Sequence, residues 1–530
     1  MKRRLLGFFS LLLLFLVGCS SQPHKEPQTL RLYLQAEPLS FDPRIGGDRR
    51  SQTVVRHLFE GLTRLSKEGT IELALAKSYT VSQDGKLYIF KLHRTRWSNG
   101  TPLTAHDFEW AWKTLIDPSL GSTHSSLFNI IENVEKARTK KIALDEVGIH
   151  ARSDTCLEVS LDHPCPYFLQ LLANPVFSPV CRSYVEAHPD WASKTYPEYP
   201  CNGPYVLKQH VLRSHLVLEK NPLYYKPKLP KTERLTFSVI EDPFTAQLLF
   251  DKGEIDWYGD PCGLTPIETI HALSSRLRTV PYSAIYWLLC NTSKPHLAFP
   301  KIRRAIASAI NRQVLCDFLN GGETPALSLV MRDLSLLKTP LLEDGQPTVA
   351  KALFQEGLEE VGLNEATFPP LILSYWADPA CKAIAEVMKE QIEKTLSIHV
   401  VLEAHDWATQ IKNTASGNFD LTTATWFSLA QDPFLSLAYF NHASHTPSNT
   451  HWYDEEFHEL MSQAESSCDG TARTQALREA ERVLMEEMPA IPLYFLSYKY
   501  LKKPGLEGEV LSPSGAIDFS WVYQEDRGSK

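Results

Sequence analysis

The stretch WSNGTPLTAHDFEWAWKTLIDP, from Trp97 to Pro118, decides the fold of this chain. Asn99-Gly100 is a turn dipeptide, because both residues adopt positive φ at little cost. Thr104 can cap a helix, with Asp107 three positions later as a short relative of the capping box. Apolar residues then recur at helical spacing until Pro118, at Phe108, Ala111, Trp112 and Leu115. The pattern predicts a strand, a turn and a capped helix, and it contains three tryptophans.

The first residues of the chain are typical of an export signal. Lys2, Arg3 and Arg4 precede a nearly apolar run over 5–17, which is shorter than the roughly 20 residues of a membrane span. The run ends in Leu16-Val17-Gly18-Cys19, which resembles the bacterial lipobox; the alternative is an ordinary signal peptide with a chance cysteine. We expect a signal peptide over 1–18 and a lipid-anchored linker over 19–28. The protein would then be exported to the cell envelope or periplasm and tethered to a membrane through Cys19.

Charge and cysteine usage exclude several classes of function. The formal net charge is −8, and loss of three basic residues with the signal makes it −11. A chain this acidic, without a basic block, argues against nucleic acid as a partner. Ten cysteines less the lipidated one leave an odd number, so at least one is unpaired in a monomer. Cys165, Cys181 and Cys201 could bridge in an oxidising compartment, or they could be buried thiols. No Cys-x-x-Cys pair favours zinc or thioredoxin chemistry.

Strand and helix patterns alternate along the remaining chain. LYIFKLH and IYWLLCNT read as strands, and PKIRRAIASAINRQVLCDFLNG reads as a helix closed by a glycine. This alternation predicts mixed α/β domains. At roughly 100–200 residues per domain, the mature chain has room for two to four of them. No later stretch is long and apolar enough to be a transmembrane helix.

Seven sequence landmarks in a fixed order resemble the large bacterial extracellular solute-binding proteins of the oligopeptide- and dipeptide-binding class. The first is the Trp97–Phe108 signature, and the others lie along nearly the whole mature chain. They are EPLSFDP from Glu37, LFEGLTRL from Leu58, NGPY from Asn202 with NPLYY from Asn221, GEIDW from Gly253, IRRAIASAINR from Ile302 and AERVLMEEMPAIPLY from Ala480.

The resemblance implies an α/β, two-lobed periplasmic-binding-protein fold of type II, with an additional inserted domain and mixed β-sheets. Lobe I, the base domain, would comprise 29–49, 202–284 and 501–525. The inserted domain would span 50–201, and lobe II would span 285–500. Two such lobes close on a ligand like a hinge.

The resemblance also implies where a ligand binds. Family members hold the backbone of a peptide by strand-like pairing between the lobes, and they accept its side chains in roomy pockets. Carried over position by position, the predicted ligand-binding residues are Glu37, Pro38, Leu39, Trp257, Tyr258, Tyr286, Trp287, Trp407, Thr425, Trp426, Phe427, Ser428 and Leu429. For each aromatic residue the alternative is core packing.

Leu429 is the largest departure from the family pattern. Members have a Trp-Cys-Ala-Asp stretch whose Asp receives the ammonium group of the peptide, and here the stretch reads Trp426-Phe427-Ser428-Leu429. A buried ammonium without a counter-ion loses several kcal/mol. Asp432 or Glu37 could substitute for the missing carboxylate, although Asp432 would also cap a helix before Pro433.

Two further departures accompany Leu429. The family Cys at Phe427 pairs in some members with a Cys that corresponds to Ala284, so both thiols are absent together. An Arg that usually precedes the Trp by three positions is Thr423. The charged clamp on the ligand is therefore depleted.

The resemblance predicts a substrate-binding lipoprotein of an ABC importer that delivers oligopeptides to a permease with ATPase subunits. It also predicts that the protein is a monomer. The alternative within this class is a receptor for a peptide-like ligand without a free α-amine, such as a cell-wall muropeptide, which Leu429 favours. We expect no enzyme, cofactor or metal, because the motifs of serine hydrolases, zinc peptidases and phosphate-binding loops are missing. An exported hydrolase or a purely structural lipoprotein are the competing classes.

Overall fold

The computed structural model describes residues 28–46, 48–192, 199–441, 449–512 and 515–525. The predicted signal peptide and the predicted lipidation site, Cys19, lie outside the described residues. Among the described helices, none has the length and apolarity that crossing a membrane would require.

The Trp97–Pro118 stretch forms the predicted unit. Gly100 has a φ of +87° in the turn, and a helix spans Ala105–Ile116. The carboxylate of Asp107 accepts the Thr104 N–H at 2.8 Å, so one half of the capping box is formed. Burial raises the pKa of Asp107, although its hydrogen bonds oppose that rise. This unit follows from local sequence because each of its signals acts within a few residues.

Helices and strands alternate along the described chain. The helices are α1 Arg49–Leu58, α2 Ala105–Ile116, α3 Val134–Arg138, α4 Phe168–Leu171, α5 Arg182–Ala187, α6 Pro243–Asp251, α7 Ile267–Leu273, α8 Pro300–Ala309, α9 Arg312–Leu319, α10 Pro347–Val361, α11 Pro379–Leu396, α12 Trp407–Ser416, α13 Pro433–Ala438, α14 Glu455–Ser466 and α15 Gly470–Glu487.

The longer strands build three sheets, and short strands form two-stranded ribbons. The strands are β1 Thr29–Leu34, β2 Thr63–Leu65, β3 Ile71–Leu73, β4 Ala76–Val81, β5 Leu87–Leu92, β6 Thr95–Arg96, β7 Pro102–Leu103, β8 Ile149–Ser153, β9 Cys156–Ser160, β10 Tyr205–Val211, β11 His215–Lys220, β12 Arg234–Val239, β13 Trp257–Gly259, β14 Arg278–Cys290, β15 Thr324–Pro325, β16 Leu371–Trp376, β17 Val400–His405, β18 Leu421–Phe427, β19 Ala490–Lys502, β20 Leu506–Glu507, β21 Val510–Leu511, β22 Ile517–Asp518 and β23 Tyr523–Gln524.

Two of the sheets have four strands. One has the order β1-β12-β11-β10, with β1 parallel to β12 and the other pairs antiparallel. The other has the order β4-β5-β9-β8 and is antiparallel throughout. The helix α2 packs against β8 and β9 of this second sheet. Trp112 of the helix and Trp97 of the preceding turn are fully buried.

The third sheet has seven strands and contains the two longest strands of the described chain. Its order is β13-β19-β14-β18-β16-β17, with β15 also paired to β19. Strands β14 and β19 have 13 residues each. The two strands pair with each other along two stretches of β14, one up to Pro281 and one from Ile285 onward, and the pairing register shifts between them. A bulge at this place bends the pair locally.

Two predicted landmarks meet at a backbone clamp. The side chain of Asn202 donates to the Glu60 carbonyl at 2.8 Å and accepts the Glu60 N–H at 3.2 Å. Gly203 donates to the Leu58 carbonyl, and a Cβ on Gly203 would lie 2.7 Å from the carbonyl carbon of Leu58. The NGPY and LFEGL motifs are therefore structural, because they join α1 to the start of β10.

The cysteines form no bridge in the described chain. Cys165, Cys181 and Cys201 are free and buried, so the disulfide alternative is wrong and the buried-thiol alternative is confirmed. Burial raises the pKa of Cys165 and of Cys201 to about 12 in each case. Such thiols are protonated and unreactive at neutral pH.

Candidate ligand-binding cleft

The end of β18 presents two faces. Ladder pairing with β14 places Trp426 opposite Ile285 and Phe427 opposite Ala284. Phe427 is 51 % exposed, and Thr425 on the same face is exposed too. Trp426 points to the other face, where its ring stacks on Trp287 at a centroid distance of 6.0 Å. Trp426 and Phe427 lie on opposite faces because successive side chains of a β-strand point to opposite sides of the sheet.

The predicted neighbours Ala284 and Phe427 are directly opposite each other across β14 and β18. The resemblance had implied this proximity, because related proteins carry a cysteine pair at the two positions. The structure places the two positions directly opposite each other, as the resemblance implies.

One edge of β18 is open beyond its first residues. The ladder from β18 to β16 stops at the Ser374–Thr422 pair, whereas the ladder to β14 continues to Phe427. In the described part of the chain, the edge over 423–427 that faces away from β14 has no partner strand. Backbone groups at such an edge can pair with an added extended chain.

A cleft lies directly after β18. The buried Ser428 donates its N–H to the Ser283 carbonyl at 2.8 Å and fixes the turn. Leu429, Ala430 and Gln431 then face a cleft of about 470 Å³. Its other wall consists of residues from α1, the β2–β3 turn and α4, together with Ser512. This volume falls in the range of about 300–1,000 Å³ for small-ligand sites.

A second cavity of about 200 Å³ adjoins this cleft at the irregularity of β14. It shares Gln431 and Ser512 with the cleft, and Tyr282 and Phe495 line it. The side chain of Gln431 donates to the Ser283 hydroxyl at 2.6 Å. The backbone N–H of Gln431 donates to the Gln170 side chain at 2.7 Å. Gln431 therefore joins the two walls of the cleft.

A larger depression of about 650 Å³ lies elsewhere, beside α2. Most of its cationic side chains already have carboxylate partners: Lys113 pairs with Glu109 at 2.8 Å, Arg182 with Glu186 at 2.9 Å, and Arg44 with Asp42 at 2.7 Å. Size alone does not mark a binding site, because these paired groups offer a ligand little. The open strand edge and the adjoining cleft at β18 make the stronger candidate.

The predicted aromatic residues divide into two groups. Trp407 is 59 % exposed at the start of α12, and its ring meets Trp376 edge-on at 5.3 Å. The other group, by contrast, lies in the core and does not line open space, which is the core-packing alternative of the sequence analysis. Its members are Trp257, Tyr258, Tyr286 and Trp287, which are at most 6 % exposed.

The burial of the second group has a clear physical cause. Tyr286 and Trp287 belong to β14, which lies inside the sheet between β19 and β18. Trp257 and Tyr258 belong to the edge strand β13, where β19 and α6 pack against them. Trp257 stacks on Tyr500 at 4.2 Å, and Tyr286 stacks on Tyr494 at 5.1 Å. Such close ring pairs stabilise the sheet itself.

The loop after β1 contains three predicted site residues. Leu39 is 80 % exposed and Pro38 is buried. The Glu37 carboxylate is occupied within its own sheet, because it contacts His210 and accepts the Arg213 N–H at 2.9 Å. Glu37 is therefore held by the β10–β11 hairpin rather than left available as a counter-ion.

Asp432, the other proposed counter-ion, has a structural role. Its carboxylate caps α13 by accepting the Phe434 N–H at 2.9 Å. It also accepts two hydrogen bonds from the Arg473 guanidinium, at 2.8 and 3.1 Å. A bidentate pair of this kind leaves the carboxylate little capacity for a ligand. The helix-cap interpretation of Asp432 is confirmed.

Sequence reasoning missed two residues at the site. Trp376 ends β16, and its place just before an Asp-Pro helix start is a usable sequence signal. Arg56 lines the 470 Å³ cleft, and nothing in its own neighbourhood indicated this, because α1 is distant from β18 in sequence. No group of three potential metal ligands occurs among the residues that the structure describes.

Comparisons with known proteins identify the family and the fold. Residues 70–448 match the model for the middle part of bacterial extracellular solute-binding proteins, family 5. The oligopeptide-binding protein OppA of Bacillus subtilis is 31 % identical over 514 residues, covering 96 % of this chain and 94 % of that protein. The periplasmic murein peptide-binding protein MppA of Escherichia coli is 28 % identical over 507 residues, covering 93 % of each.

Solved structures are similar over almost the whole chain. The Escherichia coli murein tripeptide binding protein MppA superposes with a TM-score of 0.79 at 27 % identity, covering 95 % of this chain and 99 % of that one. Haemophilus influenzae OppA in complex with RPPGFSPFR gives a TM-score of 0.78 at 26 % identity, covering 94 % and 99 %. These likenesses confirm the predicted mixed α/β, two-lobed fold.

Proposed function

Because the chain belongs to the bacterial extracellular solute-binding proteins of family 5, we propose that it captures oligopeptides between two closing lobes and delivers them to the permease of an ABC importer. Family membership makes it an exported binding protein. Its role is to bind and release a ligand without chemical change, and ATP hydrolysis on a partner subunit drives transport. Anchoring through a lipid on Cys19 and a monomeric state are parts of the same proposal.

The open edge of β18 beside the 470 Å³ cleft carries this proposal. The edge over 423–427 offers backbone groups to an extended chain. Leu429 and Gln431 line the cleft at its end. Phe427, on the same strand, and Trp407, at the start of α12, have exposed side chains. Main-chain pairing with loosely fitted side-chain pockets recognises many peptides with little regard to sequence.

The lobe boundaries fit the same mechanism. We place lobe I at 29–49, 202–284 and 501–525, the inserted domain at 50–201 and lobe II at 285–500. The register shift between Pro281 and Ile285 lies at the proposed border, on one of two long strands that run from one side to the other. A ligand that contacts both lobes only when they close shifts the open–closed equilibrium.

A backbone-modified peptide tests the pairing directly. Calorimetry with pooled peptides of about two to eight residues would first identify a binder, and small-angle scattering would follow compaction on closure. The same peptide with alternate N-methyl groups loses backbone donors but keeps its side chains. We expect it to bind about tenfold more weakly, since each lost hydrogen bond costs about 0.5–1.5 kcal/mol. Binding without compaction, or unchanged affinity after N-methylation, would contradict strand-like capture.

A peptide-like ligand without a free α-amine remains the second candidate. The observation that favours it is Leu429 at the cleft, combined with the engagement of Glu37 and Asp432 by other protein groups. A relative that matches over nearly its whole length is named a murein peptide-binding protein, which supports a cell-wall peptide as a ligand class.

A further inference from the structure

Arg56 of α1 is the charged group of the cleft. Among the described residues that line the 470 Å³ cleft, it is the one with a charged side chain. Arg56 also lines a smaller adjoining cavity of about 30 Å³. Its Nη1 donates to the Ala173 carbonyl at 3.3 Å, whereas its Nε is buried and has no hydrogen-bond partner.

The acidic groups near Arg56 are committed to other partners. The Glu60 carboxylate contacts the Arg64 guanidinium at 2.9 Å and accepts the hydroxyls of Tyr224 and Tyr225. Asp518 lies 3.6 Å from Arg64 and accepts the Ser520 N–H at 2.8 Å. Arg56 forms no ion pair within 4.0 Å with any of the carboxylates in the described chain.

Burial without a carboxylate partner penalises the Arg56 charge. Burial lowers the pKa of Arg56, and the attraction of Asp518 does not compensate fully. Since an arginine stays protonated at neutral pH, the cleft wall carries a positive charge that no described carboxylate pairs with at ion-pair distance. An anion bound beside Arg56 would offset the desolvation penalty of the guanidinium, which no carboxylate of the described chain pairs with.

The rest of the cleft wall is apolar or neutral. Leu65, Ile71, Leu169 and Leu429 are among the apolar residues that line it. No acidic side chain of the described chain lines it. An ammonium group here would therefore meet a cation and leucine side chains, whereas a carboxylate on an apolar group would meet a guanidinium and a hydrophobic wall.

We propose that this cleft is a carboxylate subsite, in which Arg56 binds the acidic group of a peptide-like ligand and the leucines bind its apolar part. The proposal rests on the proposed binding function and adds the chemistry of the ligand. The carboxylate can come from the C-terminus of the ligand or from an acidic side chain, and both present the same planar acceptor to arginine.

Matched peptides test the subsite by calorimetry. The probes are an N-acetylated alanine–leucine tetrapeptide with a free C-terminal carboxylate, its C-terminal amide, and an amidated version with one internal glutamate. We expect the wild-type protein to bind a carboxylate-bearing probe at least about tenfold more tightly than the neutral amide. Preference for the first or the third probe distinguishes a terminal from a side-chain carboxylate.

The variants Arg56→Gln and Arg56→Lys locate the effect. We expect Arg56→Gln to bind acid and amide equally and Arg56→Lys to keep part of the preference. Arg332→Gln is the matched control, because Arg332 is exposed and lines the adjoining 200 Å³ cavity, and it should leave the preference unchanged.

Leu429→Asp keeps the proposal falsifiable if Arg56 variants do not fold. A carboxylate introduced into this cleft should compete with the ligand for Arg56, weaken acid probes at least about tenfold and strengthen probes with a free amine. Equal binding of acid and amide by the wild type, or a preference that survives Arg56→Gln, overturns the subsite and leaves peptide binding intact. If no peptide binds in any form, both this proposal and the proposed function are wrong.

Discussion

Tryptophans are concentrated in two regions of the molecule, around α2 and around the end of β18, and the two regions use them differently. Trp97 and Trp112 are fully buried, and each indole N–H has an acceptor: Trp112 donates to the Phe177 carbonyl at 3.0 Å. Trp407 and Trp426 lie in the β18 region and are exposed or half-buried.

The difference separates rings that stabilise from rings that are available to a ligand. In the α2 region, the Trp112 ring meets Phe108, Phe128 and Phe177 edge-on, with centroids 5.7–6.0 Å away. In the β18 region, Trp407 has one aromatic neighbour, Trp376, and leaves more than half of its surface open. A ligand that covers such an exposed apolar surface removes it from water, and this burial favours binding.

The largest expected effect is the loss of stability when a buried ring of the α2 region is removed. Trp112→Ala should lower the free energy of unfolding by about 3–5 kcal/mol, because it removes a fully buried ring and leaves a cavity. Chemical denaturation would measure the loss. Trp407→Ala is the matched control from the other region and should change stability by less than about 1 kcal/mol. Equal losses in the two variants would contradict the distinction.

An engineered disulfide sharpens the description of the β18 region. Ala284 and Phe427 are cross-strand neighbours, so Ala284→Cys combined with Phe427→Cys should form a bridge under oxidising conditions. A bridge that closes a long loop should raise the free energy of unfolding by about 2–4 kcal/mol. Mass spectrometry of the linked peptides identifies the bond, and Phe427→Cys alone is the control. Absence of the linked peptide would show that the register of β18 is wrong.

The smallest effect concerns ligand affinity. Trp407→Ala should weaken an identified peptide ligand by about 1 kcal/mol, or roughly fivefold, because an aromatic contact surface is lost. Trp110→Ala is the control from the α2 region, since Trp110 is half-buried there beneath the Arg44 guanidinium. Calorimetry on both variants would decide. A larger loss from Trp110→Ala would move the binding site toward the 650 Å³ depression beside α2.

Local signals were sufficient for much of the fold. The Asn99-Gly100 turn, the Asp107 cap and the stop at Pro118 act over a few residues, so the sequence predicts α2 correctly. The ordered landmarks added the global architecture and even the proximity of Ala284 to Phe427. Pattern alone did not separate core aromatics from cleft aromatics, because Trp257 and Trp407 have similar sequence surroundings: each follows an Asp in a stretch of mixed polarity.

The sequence by itself determined the α/β class, the family and the absence of an acidic residue at Leu429. The tertiary structure decided which charges are free to act. Arg56 and Arg64 lie eight residues apart, yet Arg64 is paired with Glu60 and Arg56 faces the cleft. The Arg64–Glu60 pair is local in sequence, whereas the surroundings of Arg56 include Asp518, Leu429 and Ala173 from distant parts of the chain. Their approach follows from the packing of whole elements, which no local pattern encodes.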